Sequence, residues 1–356
     1  MVAFSLPTIP NSLVKNDENQ LEGNFQLKVF RKTSFIHNAL FDLSLLNYDE
    51  NYQNEQGHSI QFKTHLNSVY TILKMHFPNG GKLVEVGCGK GAFLEIVKSD
   101  KHFDYEGFEF AYEGNDDFIH SRYLTEKDRI KADVVVLRHT LEHIYHPHKF
   151  LRLLKTVFGG DAKIFIEVPQ FEWIEKNKVV FDLSYEHVNY FNTKALKSLF
   201  SNIIDYGDFF GGQYQFVFAS LGEISNENWV GFEDDSEWHD YDISPFNSQF
   251  LKDCEKLTST KGIWIWGGAT KGVLFLFHLH KLMPSLFLKI KGVVDINPKK
   301  QNLFTPITKV KVISDNNMFE LAEDGDVILV MNPNYYDEIK SDCSSKSKIK
   351  LNVLKI

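Results

Sequence analysis

Residues 82–91 read Lys82-Leu83-Val84-Glu85-Val86-Gly87-Cys88-Gly89-Lys90-Gly91, and Ala92-Phe93-Leu94-Glu95-Ile96-Val97 follows directly. The first half is a short, β-branched apolar run, which suits a buried strand, and the second has the spacing of a helix face. Between them, three glycines at alternate positions let the chain turn sharply and approach a ligand closely. Strand-like runs recur at Tyr105–Glu109, Val134–Leu137 and Ile164–Val168, separated by helical stretches after Gly91 and after His148. Alternating strands and helices predict a parallel, doubly wound sheet.

A second pattern of the same kind begins after Lys261. It comprises Ile263–Trp266, the turn Gly267-Gly268-Ala269-Thr270-Lys271-Gly272, an apolar helix from Val273, then Val293–Ile296 and Val327–Met331. The chain is therefore expected to be α/β, with two Rossmann-like doubly wound units in tandem and a short N-terminal segment. The expected boundaries are a lead-in and substrate-cleft segment at 1–77, a first unit at 78–222, a connection at 223–258 and a second unit at 259–356. The connection carries eight acidic residues between Glu223 and Asp242, with Trp229, Phe232 and Trp238 expected to pack on a neighbour. The lead-in ends in His65–Phe77, whose apolar positions suit a helix.

With 356 residues there is room for two or three folded units. Hydrophobic content of 43%, with 31 Phe and 14 Tyr, excludes a wholly disordered chain. The net charge of −8 argues against a dedicated nucleic-acid binder, which would carry a basic face. Cys88, Cys254 and Cys343 are too scattered for a disulfide framework or a clustered zinc site, so no metal is expected. Val273–Leu288, the longest mainly apolar stretch, is interrupted by His278, His280 and Lys281, and the N-terminus lacks a signal pattern. A soluble cytoplasmic protein without a membrane span is expected.

The glycine spacing is G-x-G-x-G, not the G-x-G-x-x-G of a dinucleotide fingerprint. Glu85 lies two positions before Gly87, Glu109 ends the next strand 18 residues after Gly91, and Asp133–Leu137 runs into Arg138-His139-Thr140-Leu141-Glu142-His143. In this order the elements resemble the motifs of class I S-adenosylmethionine-dependent methyltransferases. That resemblance implies S-adenosylmethionine as cofactor, held by Glu85, Gly87, Cys88, Gly89, Gly91, Glu109, Phe110, Arg138, His139 and Leu141. Glu109 would accept the ribose hydroxyls, as an acid does in the NAD fold.

A narrower likeness rests on Asp182-Leu183-Ser184-Tyr185-Glu186-His187-Val188-Asn189-Tyr190-Phe191 together with the C-terminal pattern, including Asp326–Tyr335. From Tyr48 onward the chain resembles the sugar C-methyltransferases that act on nucleotide-linked 4-keto deoxysugars. The resemblance implies His187 as base, forming an enolate by removing a proton next to the ketone, with Glu186, Tyr185 and the pair Tyr52 and Glu55 around it. A neutral imidazole suits that task near working pH. His143, Lys271 and Asn332 are the implied substrate contacts. Two departures stand out: the family's usual N-terminal cysteine-based zinc module has no counterpart before Cys88, and Ser184 replaces a tyrosine three residues before the base. The small-molecule substrate is thus expected to be a nucleotide-linked sugar, in deoxysugar or surface polysaccharide biosynthesis. A sugar O-methyltransferase, a non-catalytic nucleotide-binding scaffold and, last, a dehydrogenase using the second glycine loop are the rivals. The particular sugar, the nucleotide, the stereochemical course and the oligomeric state stay open.

Overall fold

The computed structural model describes residues 4–15, 18, 21–46, 52, 59–225, 230 and 235–356. Its central sheet is built from β1 (Gly81–Val86), β2 (Phe103–Phe108), β3 (Ile119–His120), β4 (Val134–Arg138), β5 (Lys163–Pro169), β6 (Ile203–Phe209) and β7 (Tyr214–Ser220). The strand order is β3-β2-β1-β4-β5-β7-β6, and β7 alone runs antiparallel to its neighbours. Helices α1 (Ile60–His76), α2 (Ala92–Asp100) and α3 (Pro147–Phe158) cover it.

Both faces of the sheet are buried, which explains why its strands read as unbroken apolar runs. Successive side chains point to opposite faces. Thus Leu83, Val134, Val136 and Phe165 pack with Leu66, Val69 and Leu73 of α1 and Phe93, Leu94 and Val97 of α2. Val84, Val135, Leu137 and Ile166 pack with Leu151, Leu154 and Val157 of α3. Pro147 opens α3, where the first helical turn needs no amide hydrogen from that residue.

The C-terminal sheet is wholly parallel, in the order β10-β9-β8-β11-β12, from β8 (Ile263–Trp266), β9 (Ile290–Val294), β10 (Val312–Ile313), β11 (Val327–Val330) and β12 (Asn352–Lys355). Helix α4 (Thr270–Leu282) begins three residues earlier than its apolar run suggests, because Gly272 falls in its first turn. A Cβ at Gly272 would stand 1.9 Å from the Gly267 carbonyl oxygen, so the turn can close only around glycine.

Pairing between distant segments ties the remainder together. Leu27–Phe30, Ile36–Asn38, Asn189–Tyr190 and Trp238–Asp240 form one four-stranded antiparallel sheet. Trp238 packs on Phe30 and Phe35, as expected of an aromatic in the connection, whereas Trp229 and Phe232 lie outside the described residues. One core cluster joins Leu6, Leu13 and Phe25, then Phe181, Leu183 and Tyr185 of the segment between β5 and β6, and Val273, Leu274 and Phe275 of α4. The two lobes therefore share apolar packing.

Candidate active site

Each parallel sheet changes direction at one point: between β1 and β4 in the first lobe, and between β8 and β11 in the second. Ligands of doubly wound folds bind outside the carboxyl ends of the strands at such points. Here both crevices open into a single cavity of about 1060 Å³, lined by Gly87, Gly89, Glu109, His143, His187, Lys271 and Asn332 among others.

Cofactor side. Gly87, Gly89 and Gly91 all have left-handed φ, at 77°, 55° and 79°. A Cβ on Gly87 would lie 2.3 Å from Thr140 Oγ1, while one on Gly89 would meet nothing within 4 Å. The first glycine thus permits contact between the β1 and β4 loops, and the second borders open cavity. Glu109 Oε2 accepts from the Gly89 amide at 3.1 Å, and Oε1 from the Ala111 amide at 3.1 Å. The acid fixes the glycine loop and presents its remaining lone pairs to the cavity. Beyond it, exposed Phe110 stacks on Tyr123, with centroids 4.3 Å apart and planes 5° apart, a flat apolar surface suited to a purine. Cys88 is buried, which pushes its thiol up.

Beneath the loops lies a charged layer. Arg138 sits between Glu85, at 3.7 Å, and Glu167, at 3.4 Å. Glu167 also meets His139 Nε2 at 3.0 Å and His65 Nε2 at 3.1 Å. Burial would raise the Glu167 carboxyl, but Arg138, His65 and His139 hold it well below the usual range. Burial raises Glu85 to about 8, against the pull of Arg138. Although burial disfavours a charged His139, Glu142 and Glu167 on either side raise it to about 9. His65 and Glu167 escaped the sequence reading, yet each left a signal: a histidine on the apolar face of α1 and a lone acid inside an apolar strand.

Substrate side. His143 Nδ1 donates to the Glu186 carbonyl at 3.0 Å, leaving Nε2 as an acceptor. Its ring meets that of His187 edge to face, centroids 5.0 Å apart. Burial, with His143 adding to it and Glu142 opposing, lowers His187 to about 3, so its imidazole is neutral at working pH. Glu186 is 1% exposed and accepts from the Tyr52 hydroxyl and the Asn11 amide; its Oε2 has no partner among the described residues. Burial raises its carboxyl to about 8. Asn332 Oδ1 accepts from Gln213 Nε2 at 2.9 Å across the lobes.

Several expected site residues are placed differently. Tyr185 is fully buried, with its hydroxyl accepting from the Asp42 amide at 2.8 Å and its ring stacked on Phe41, outside the cavity lining. Leu141 is fully buried in the core of the first lobe. Lys271 reaches the cleft but pairs with Asp182 and lies over the Trp173 ring at 5.0 Å. Glu55 lies outside the described residues. In the second lobe, Asp295, at the position of a dinucleotide-binding acid, accepts from the Gly268 amide at 2.9 Å and approaches Lys300 at 3.4 Å. Among the described residues, two triplets bring donor atoms within 4.8 Å of one another: His65, His139 and Glu167, and Glu142, His143 and His187. In the first, the Arg138 guanidinium opposes a metal ion.

Residues 48–203 match the family described as methyltransferase domain, and residues 224–350 that described as C-methyltransferase C-terminal domain. The chain belongs to the S-adenosylmethionine-dependent C-methyltransferase family. S-adenosylmethionine is therefore its cofactor, and the glycine loop, Glu109 and the open space at Gly89 fit it. No curated protein matches the sequence. Among solved structures, the methyltransferase is similar to the PH0226 protein of Pyrococcus horikoshii OT3, at 13% identity and TM-score 0.38, over 48% of this chain and 98% of that one. Another is an S-adenosylmethionine-dependent methyltransferase from Archaeoglobus fulgidus, at 17% identity and TM-score 0.33, over 46% and 100%. A third is the 1,6-didemethyltoxoflavin-N1-methyltransferase of Burkholderia thailandensis, at 11% identity and TM-score 0.35, over 48% and 83%. No helix among the described residues is long and apolar enough to cross a membrane.

The buried titrating groups give the methyltransferase a definite pH response. Glu85 and Glu186 move from 4.5 to about 8 and His139 from 6.5 to about 9, so the fold binds more protons than the unfolded chain across those windows. Their stabilisation is present below the unfolded values and lost as pH rises through the folded ones. His187, lowered from 6.5 to about 3, acts in the other direction and matters only as pH falls below 6.5. The thermal midpoint of the unliganded enzyme is expected to fall between pH 6.5 and 9; a flat or rising midpoint in calorimetry would contradict the charge assignments.

Proposed function

We propose that this methyltransferase transfers a methyl group to the carbon next to the ketone of a nucleotide-linked 4-keto deoxysugar, with His187 as the base. The observation that carries the reading is a histidine and a buried glutamic acid that line one cleft between the cofactor loop and the second lobe, where burial favours the neutral form of each. A ketone's neighbouring carbon needs a base for its proton and a donor for its oxygen as the enolate forms. His187 supplies the first and Glu186, whose Oε2 is unpartnered, supplies the second. Tyr52 orients Glu186 through their hydrogen bond, and Glu55 is proposed to join it.

Glu85, Gly87, Cys88, Gly89, Gly91, Glu109, Phe110, Arg138 and His139 would hold or support the cofactor, which supplies an electrophilic methyl group. His143 is proposed to border the sugar. Lys271 and Asn332 extend the cleft along the second lobe, where the nucleotide would lie, and Lys271 must share its charge between Asp182 and a diphosphate. The wholly buried, free cysteines suit a reducing, cytoplasmic setting for deoxysugar or polysaccharide biosynthesis.

The test is proton exchange in D₂O with S-adenosylhomocysteine bound and a thymidine-diphosphate-linked 4-keto-6-deoxyhexose as probe. Carbon acidification predicts one deuterium at C3, dependent on His187. An enzyme that methylates this sugar without any C3 exchange is an O-methyltransferase, and the proposal fails.

A further inference from the structure

Burial creates a difficulty for the proposed base. The apolar surroundings that keep His187 neutral also oppose the imidazolium it becomes on taking a proton. A group nearby must offset that charge at the moment the carbon–hydrogen bond breaks.

We infer that Glu142 is the counter-ion of protonated His187, a positioning and charge-stabilising residue in the proton-transfer step; the inference rests on the reading of His187 as base. Glu142 lies on the single turn Leu141–His143 that follows β4 and is 1% exposed. Neither of its oxygens has a hydrogen-bond partner of normal geometry, an arrangement that a buried carboxylate maintains only at a cost. Donor atoms of Glu142, His143 and His187 all lie within 4.8 Å of one another.

The other groups around His187 do not fill this role. His143 commits its Nδ1 hydrogen to the Glu186 carbonyl, and burial holds it neutral. Tyr190, whose ring lies 6.1 Å from that of His187, gives its hydroxyl hydrogen to the Ser184 carbonyl. Glu186 is bonded to Tyr52 and Asn11 and is raised to about 8. Lys271 and His139 are cations that oppose a charge on His187. Glu142 is held below the usual carboxylate range, burial notwithstanding, chiefly by its contact with His139. His139 in turn bridges Glu142, at 3.5 Å, and Glu167, at 3.0 Å. In the resting cleft the Glu142 charge is balanced by His139. When the substrate proton moves to His187, with the bonding electrons passing to the ketone oxygen, the same carboxylate faces a second imidazolium.

Two measurements on the full chain test the inference. In the C3 exchange assay, Glu142→Gln is expected to slow deuterium uptake about 100-fold with S-adenosylhomocysteine binding unchanged, and Glu142→Asp to recover part of the loss. Equal exchange by wild type and Glu142→Gln overturns it, as does exchange that a chelator abolishes, since the triplet would then be holding a cation. The second measurement needs no substrate: a thermal double-mutant cycle of His187→Lys and Glu142→Gln. An ammonium at 187, kept charged by Glu142, is expected to be tolerated beside that carboxylate and to lower the midpoint by several degrees beyond the sum of the single shifts when the carboxylate is gone. Additive shifts overturn the counter-ion role. Absence of exchange in wild type, with a non-additive cycle, removes the substrate reading and leaves the counter-ion standing.

Discussion

Gly89→Arg is expected to weaken S-adenosylhomocysteine binding about 100-fold or more while leaving the protein folded. At Gly89 the backbone is left-handed, with φ of 55°, and a Cβ there would meet nothing within 4 Å. The added side chain therefore enters the cavity and disturbs no packed neighbour. The left-handed conformation costs roughly 1–2 kcal/mol for a residue with a Cβ. Occupying the cofactor's space costs more, and each ~1.4 kcal/mol is a factor of ten in affinity. The Gly89 amide that donates to Glu109 would also shift, loosening the acid proposed to meet the ribose. Isothermal titration measures the loss, and near-UV circular dichroism checks the fold. Wild-type affinity in the variant would place the cofactor elsewhere in the cavity.

Methyl transfer should fall by about 10²–10⁴-fold in His187→Asn, the range over which a positioned acid or base contributes. Asparagine retains polarity and approximate size but cannot take the proton. Because the cofactor loop follows β1 and the base lies on the segment between β5 and β6, S-adenosylhomocysteine binding is expected to be unchanged. Loss should appear in kcat more than in KM, since the proton is taken in the transition state and not on binding. His143→Asn is expected to cost less, its Nδ1 being spent on the Glu186 carbonyl. Equal losses in the two variants would mean that the base has been misassigned.

The strand-turn-helix units were legible because their information is local. In β1 and β4, side chains on opposite faces are both apolar, so the run itself announces a strand buried on two sides. The four-stranded sheet was not legible, because Ile36–Asn38 finds its partner at Asn189–Tyr190 and Leu27–Phe30 finds one at Trp238–Asp240. Short strands paired over such distances take their stability from tertiary packing and have little propensity of their own. In the site, motif spacing located the glycine loop, Glu109 and the Glu186-His187 pair. It did not reveal that Tyr185 turns away to the Asp42 amide, that Lys271 already has Asp182, or that Glu167 gathers Arg138, His139 and His65. Side-chain direction and pairing across elements decide those matters, and neither is written in residue spacing.

The charge assignments also explain why one buried layer can hold so many ionisable groups. Glu167 and Glu142 remain ionised against Arg138 and His139, while Glu85 and Glu186 keep their protons near neutral pH. Buried carboxylates stay charged where nearby cations outweigh the cost of burial, and take up a proton where burial outweighs what their partners supply. The same rule gives the cleft a neutral base and a neutral acid side by side.

The most direct test of the account follows the methyl group itself. The enzyme is supplied with S-adenosylmethionine carrying a ¹³C-labelled methyl and with the thymidine-diphosphate-linked 4-keto-6-deoxyhexose, and the product is read by carbon NMR. A labelled methyl bonded to C3, absent with His187→Asn, is the predicted result; a labelled methyl bonded to oxygen, or C-methylation that survives that substitution, would contradict it.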